Sequence, residues 1–179
     1  HWTRIRSRNW LSTSVCWVSA RPSSHGAPAY LIEDSGEAFY RAVAKKAQTL
    51  KVRVLFEDLA DQEVLHRAAF EKMGKELGDA LLMSQEEWNQ YQEYLQATVQ
   101  SALFEGPERA LAAAETVTDE KEAVRMAIGF EKETLLFFYD LRERIPAQDR
   151  PVVEKIVEEE KRHIRRLISR LNADEDARK

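Results

Sequence analysis

The sequence predicts an all-α protein, a four-helix bundle of two helical hairpins joined by a long helical crossover. Two Glu-x-x-His elements recur, Glu63-Val-Leu-His66 and Glu160-Lys-Arg-His163. A lone glutamate precedes each at nearly the same distance, Glu33 thirty residues before Glu63 and Glu131 twenty-nine before Glu160. Aromatic residues repeat in step: Phe39-Tyr40 stand six and seven residues after Glu33, and Phe137-Phe138-Tyr139 six to eight after Glu131. The pattern reads as an internal duplication of one helical hairpin. With 6 Gly and 5 Pro in 179 residues and 44% hydrophobic content, little in the chain interrupts long helices.

Residues 1–26 are rich in Arg and Ser and free of acid, a composition that resembles a transit peptide and equally an expression remnant; they are set outside the domain. Trp2, Trp10, Trp17 and Cys16 are expected to pack on the domain or cover a partner. The domain is expected over residues 27–172. Its first helix starts near Ala27-Pro28, where proline suits a first turn, and reaches Ala47, with Glu33, Phe39-Tyr40 and Val43 inward. Gly36, one turn after Glu33, weakens that helix slightly and leaves room beside the site. The second helix spans Leu50 to Leu77, with Gly78 as its stop. Its Leu55, Leu59, Glu63, His66 and Phe70 fall at steps of three and four, so Glu63 and His66 interrupt an apolar stripe instead of lying opposite it.

The long connection from Asp79 to Thr118 predicts a crossover, largely helical from the spacing of Trp88, Tyr91, Leu95, Val99 and Ala102-Leu103. Phe104-Glu-Gly-Pro-Glu108 breaks that helix, and Ala110 to Glu115 reads as a further short turn. The third long helix opens at Thr118-Asp119, with Glu120 and Glu122 at the positive end of its dipole, and continues to Arg144. Arg144-Ile-Pro-Ala-Gln-Asp-Arg-Pro151 turns the second hairpin. The turn of the first, at Gln48-Thr49, has weaker chemistry. The last long helix runs from Pro151 to Asn172, and residues 173–179 form a polar, frayed tail. Glu158, Glu159, Lys161 and Arg162 are expected on its wet face, so that Glu159→Ala leaves the site intact.

In a helix, residues three apart share one face, so each Glu-x-x-His aims a carboxylate and an imidazole at the same point. Four glutamates and two histidines from four helices form the ligand inventory of a dinuclear centre in a helical bundle. Both histidines beyond the N-terminal stretch occupy the motif, since His1 and His25 are the only others. Four inward carboxylates without cations would repel one another and resist desolvation. Carboxylate and imidazole together favour two transition metals over calcium.

Composition excludes several alternatives. The net charge is −4, and the four arginines of residues 1–32 have no acid beside them, so the remainder is more acidic still and a poor partner for nucleic acid. No apolar run is long enough to span a membrane. The single cysteine rules out a disulfide framework, a thiol redox pair and a rubredoxin-type iron site within this sequence. Electrons must therefore come from elsewhere.

From about Tyr30 to Leu171 the chain resembles the rubredoxin-free, rubrerythrin-like branch of the ferritin-like superfamily. The resemblance is carried by Glu33…Phe39-Tyr40, the segment Leu55-Phe-Glu-Asp-Leu-Ala-Asp-Gln-Glu63-Val-Leu-His66, Ile128-Gly-Phe-Glu131…Phe138-Tyr139, and Glu158-Glu-Glu160-Lys-Arg-His163. It implies two iron ions, with manganese or a mixed pair as alternatives and no haem. Glu63 and Glu160 would bridge them, Glu33 and Glu131 would each chelate one, and His66 and His163 would cap one apiece. Tyr40 and Tyr139 match positions where family tyrosines donate hydrogen bonds to ligand carboxylates. Full rubrerythrins carry a further glutamate one turn after the third ligand; Thr134 stands there, so a redox-driven exchange of that ligand is not expected.

The resemblance further implies a peroxide-reducing oxidoreductase served by a separate electron-donor protein. A ferroxidase or iron-handling protein acting on dioxygen is the alternative, and a structural bundle with an empty or zinc-filled site is the third. A homodimer is expected, with an apolar surface around Trp88, and a cytoplasmic location.

Overall fold

The computed structural model describes residues 27–77, 90, 93 and 106–176, and every structural statement below concerns these. Among the described residues, five helices have their bounds: α1 Ala27–Lys46, α2 Leu50–Leu77, α3 Pro107–Thr116, α4 Glu120–Arg144 and α5 Arg150–Asp176. No strand occurs among the described residues. α1 pairs with α2 and α4 with α5 as two hairpins, and α3 lies along α1. The two hairpins meet through α1 with α4 and α2 with α5. The expected crossover helix, its Trp88 surface and the residues before Ala27 lie outside the described residues.

Local chemistry accounts for the ends. Thr49, at the turn with the weaker signal, donates through its backbone N–H and its hydroxyl to the Glu120 carboxylate at 2.7 and 2.9 Å. The turn of the first hairpin is thus fastened by the start of the second. At the head of α4, Asp119 accepts from the Glu122 N–H at 2.8 Å, satisfying a donor left over by the first turn. Pro146 stands just beyond Ile145, where α4 ends, and Pro151 falls in the first turn of α5.

Two boundaries differ from the sequence expectation. α5 continues to Asp176, past Asn172. The segment expected as a short turn is the ten-residue helix α3. Gly106 precedes it with a φ of 106°, a backbone state open to glycine, and Pro107 begins it. Ala110 and Ala114 are buried on its inner face. Lys46, at the end of α1, donates to the carbonyls of Ala114, Glu115 and Val117 at 2.9 to 3.3 Å, holding the exposed end of α3.

The core falls into two apolar clusters. One gathers Phe39, Val52, Phe56, Leu59, Val124, Phe130 and Leu167. The other gathers Ile32, Phe70, Phe137, Phe138, Val153 and Val157. Each long helix contributes to both, and on each one the paired glutamate or Glu-x-x-His lies between the two contributions. A buried polar layer therefore crosses the bundle between two oily ones.

Candidate metal centre

That layer is made of Glu33, Glu63, His66, Glu131, Glu160 and His163, none more than 4% exposed. α1 supplies Glu33, α2 Glu63 and His66, α4 Glu131, and α5 Glu160 and His163. The helical spacing inferred from sequence thus brings together all six residues. They form two overlapping groups, Glu33, Glu63, His66 and Glu160, and Glu63, Glu131, Glu160 and His163, each with one donor atom per residue within 4.8 Å of the others. Glu63 and Glu160 belong to both groups.

Both imidazoles turn Nδ1 toward the carboxylates. His66 Nδ1 is 2.8 Å from Glu160 Oε1 and 3.5 Å from Glu33 Oε2. His163 Nδ1 is 3.0 Å from Glu160 Oε2 and 3.4 Å from Glu131 Oε1. The rings stack with centroids 5.8 Å apart and planes inclined by 21°. α1 comes close at Gly36, where an added Cβ would stand 3.1 Å from the carboxyl carbon of Glu63. A side chain at this position would press on Glu63, in keeping with a glycine that leaves room beside the site.

The electrostatics are those of crowded anions. Burial, then the neighbouring carboxylates, pushes Glu33 and Glu63 well above the usual carboxylate range. Burial and the charge of Glu160 raise Glu131 to about 8. Burial also disfavours the ionised form of Glu160, but its contacts with Glu131, His163 and His66 outweigh that and hold it low. Burial would likewise lower both histidines, yet the carboxylates raise His66 to about 9 and His163 to about 10. In the metal-free chain, protons do the neutralising that cations would otherwise do.

Whether the residues suit metal ions is answered by their unmet bonds. Both oxygens of Glu33, Glu160 Oε1 and His66 Nδ1 are buried and make no hydrogen bond. Buried polar atoms are seldom left this way. His66 Nδ1 and Glu160 Oε1 lie 2.8 Å apart, so the imidazole and the carboxylate are aimed at the same place. The donor set of oxygen and imidazole nitrogen fits iron, manganese or zinc.

The sequence matches the rubrerythrin family over residues 27–171. The chain belongs to the rubrerythrin family. No curated protein matches it significantly. Among solved structures, the fold is similar to that of a Thermotoga maritima protein described as ferritin-like and diiron-carboxylate. That likeness has a TM-score of 0.54 and 24% identity, and it covers 81% of this chain and 90% of the other. This rubrerythrin-family chain is thus a ferritin-like helical bundle with a buried carboxylate and histidine cluster able to hold metal.

Around the cluster, the expected positions fare differently. The Tyr40 hydroxyl donates to Glu131 Oε1 at 2.8 Å, as the resemblance implied. Tyr139 is placed elsewhere: half-buried, its ring centroid 5.5 Å from both the Arg142 guanidinium carbon and Lys161 Nζ. Register explains this. Tyr40 stands seven residues after Glu33, but seven after Glu131 stands Phe138, and one residue further is about 100° round the helix. Phe138 is fully buried and stacks on Phe70 at 5.1 Å. Thr134 is buried one turn after Glu131.

The expectation for Glu159 needs correction. It is not on the wet face: its side chain is 17% exposed, and Oε2 lies 3.0 Å from His66 Nε2. The residue before an inward ligand sits on the flank of its helix, and in a packed bundle that flank meets the next helix. The signal available in sequence was this adjacency to Glu160.

Proposed function

We propose that this chain is a non-haem di-iron protein that reduces hydrogen peroxide with electrons from a separate donor protein. The observation that carries the reading is the sharing of buried Glu63 and Glu160 between two donor groups, which suits two adjacent cations bridged by carboxylates. Glu33, Glu63, His66 and Glu160 would hold one ion, and Glu63, Glu131, Glu160 and His163 the other. An iron pair in the ferrous state supplies two electrons together, the number that cleavage of an O–O bond requires. With two protons and two electrons, one peroxide gives two waters.

The chain's own contribution is binding, orientation and exclusion of water. The carboxylates and the two Nδ1 atoms converge from four helices, so neither ion depends on a single flexible segment. The Tyr40 hydroxyl fixes the rotation of Glu131. The flanking apolar clusters keep the layer dry, which strengthens electrostatic interactions within it. With one cysteine in this sequence, a rubredoxin-type centre cannot be built from it, and the electron source in this reading is a separate donor protein.

The test is rapid mixing of the iron-loaded, reduced chain with peroxide or with dioxygen, following iron oxidation optically. Faster oxidation by peroxide, with water as product and iron retained, is expected. Faster oxidation by dioxygen, with ferric iron released, would favour a ferroxidase. A chain that retains zinc against excess iron would favour the structural reading.

A further inference from the structure

We propose that Glu159 is a positioning residue that holds His66 in the tautomer with Nδ1 free toward the cluster, and that it makes the two halves of the centre unequal. The proposal rests on the two-metal reading above. Glu159 Oε2 lies 3.0 Å from His66 Nε2, the ring nitrogen turned away from the other carboxylates. The contact spans 93 residues and joins α5 to α2. Arg162 Nη2 holds the other Glu159 oxygen at 3.1 Å, so the carboxylate is braced from its own helix.

In the metal-loaded chain, where the imidazole must be neutral to ligate, a carboxylate accepting at Nε2 keeps the ring hydrogen on that nitrogen. A neutral ring with its hydrogen on Nε2 presents a lone pair at Nδ1. That is the atom facing Glu160, Glu33 and Glu63, at 2.8, 3.5 and 4.0 Å. A carboxylate behind a ligating imidazole also makes it a stronger donor.

The second half is built differently. In the duplicated register the residue before Glu63 is Gln62, which carries no charge. The phenol falls on this second half, where Tyr40 donates to Glu131, while neither oxygen of Glu33 accepts a hydrogen bond. One half therefore has a carboxylate behind its imidazole, and the other a phenol on its carboxylate. The duplication supplies matching donors, and their surroundings set the two halves apart.

The test titrates the metal-free full chain with Co(II), reading d–d absorption, and records histidine 15N–1H spectra of the Zn(II)-loaded chain. Wild type is expected to bind two cobalt ions in two resolved steps. Glu159→Gln, close in shape and partly exposed, should weaken one step by about 10–100-fold and leave the other within about twofold, the usual scale for loss of an outer partner of a ligand. The Zn(II)-loaded wild type should show His66 protonated at Nε2, with that signal displaced in the variant. Glu159→Ala should repeat the weakening. Two cobalt steps unchanged or equally weakened in both variants, or a His66 hydrogen on Nδ1, would overturn the proposal while leaving the two-metal reading in place. Failure of wild type to bind two ions would overturn both.

Discussion

Tyr40 shows how one hydroxyl serves the site. It is buried, donates to Glu131 Oε1 at 2.8 Å, and is pushed well above the usual phenol range by burial and by the Glu131 charge, so it stays a donor. Tyr40→Phe removes that donor and leaves a buried carboxylate oxygen short of a partner, a loss of about 1–3 kcal/mol. Urea unfolding of the metal-free chain should show it as a lower midpoint with an unchanged slope. An unchanged midpoint would mean that Glu131 is satisfied in another way. At this scale the six clustered residues were legible, because glutamate and histidine inside apolar stripes have no simpler reason to be there. Tyr139 and Glu159 were not, since each is decided by rotation of about one residue around a helix and by what the neighbouring helix offers.

At the scale of elements, the long helices could be read from apolar periodicity, and α2 starts at Leu50 as the sequence reading had it, while Gly78, its expected stop, lies outside the described residues. Helix α3 was missed because ten residues rich in alanine do not form a stable helix alone. It depends on burial of Ala110 and Ala114 and on Lys46 at its carbonyl end, contacts no local pattern announces. The same tension between local and tertiary demands governs Gly36 in α1. Helix propensity favours alanine there by about 0.5–1 kcal/mol. A Cβ, however, would stand 3.1 and 3.2 Å from Cδ and Cγ of Glu63. Gly36→Ala is therefore expected to leave the thermal midpoint of the metal-free chain nearly unchanged, as the two effects oppose, while weakening metal binding about tenfold, the lower end for disturbed support of a ligand. Calorimetric metal titration checks it; full affinity would show that Glu63 has room to move.

For the whole molecule, the duplicated hairpin explains why the bundle can carry so costly a layer. Each hairpin brings one glutamate and one Glu-x-x-His, and the apolar residues on either side close over them when the hairpins pack. The overall architecture was legible because the duplication appears twice in the sequence, in the ligand spacing and in the aromatics. The unequal surroundings of the two halves were not, because they arise between helices from different copies. The most direct measurement is the metal content of the iron-reconstituted chain, taken beside Glu63→Ala, Glu160→Ala and the exposed-site control Glu158→Ala. About two irons per chain are expected in wild type and in the control, with loss of at least one in each of the other two. Equal occupancy in all four proteins, or no stoichiometric iron in wild type, would contradict the two-metal reading.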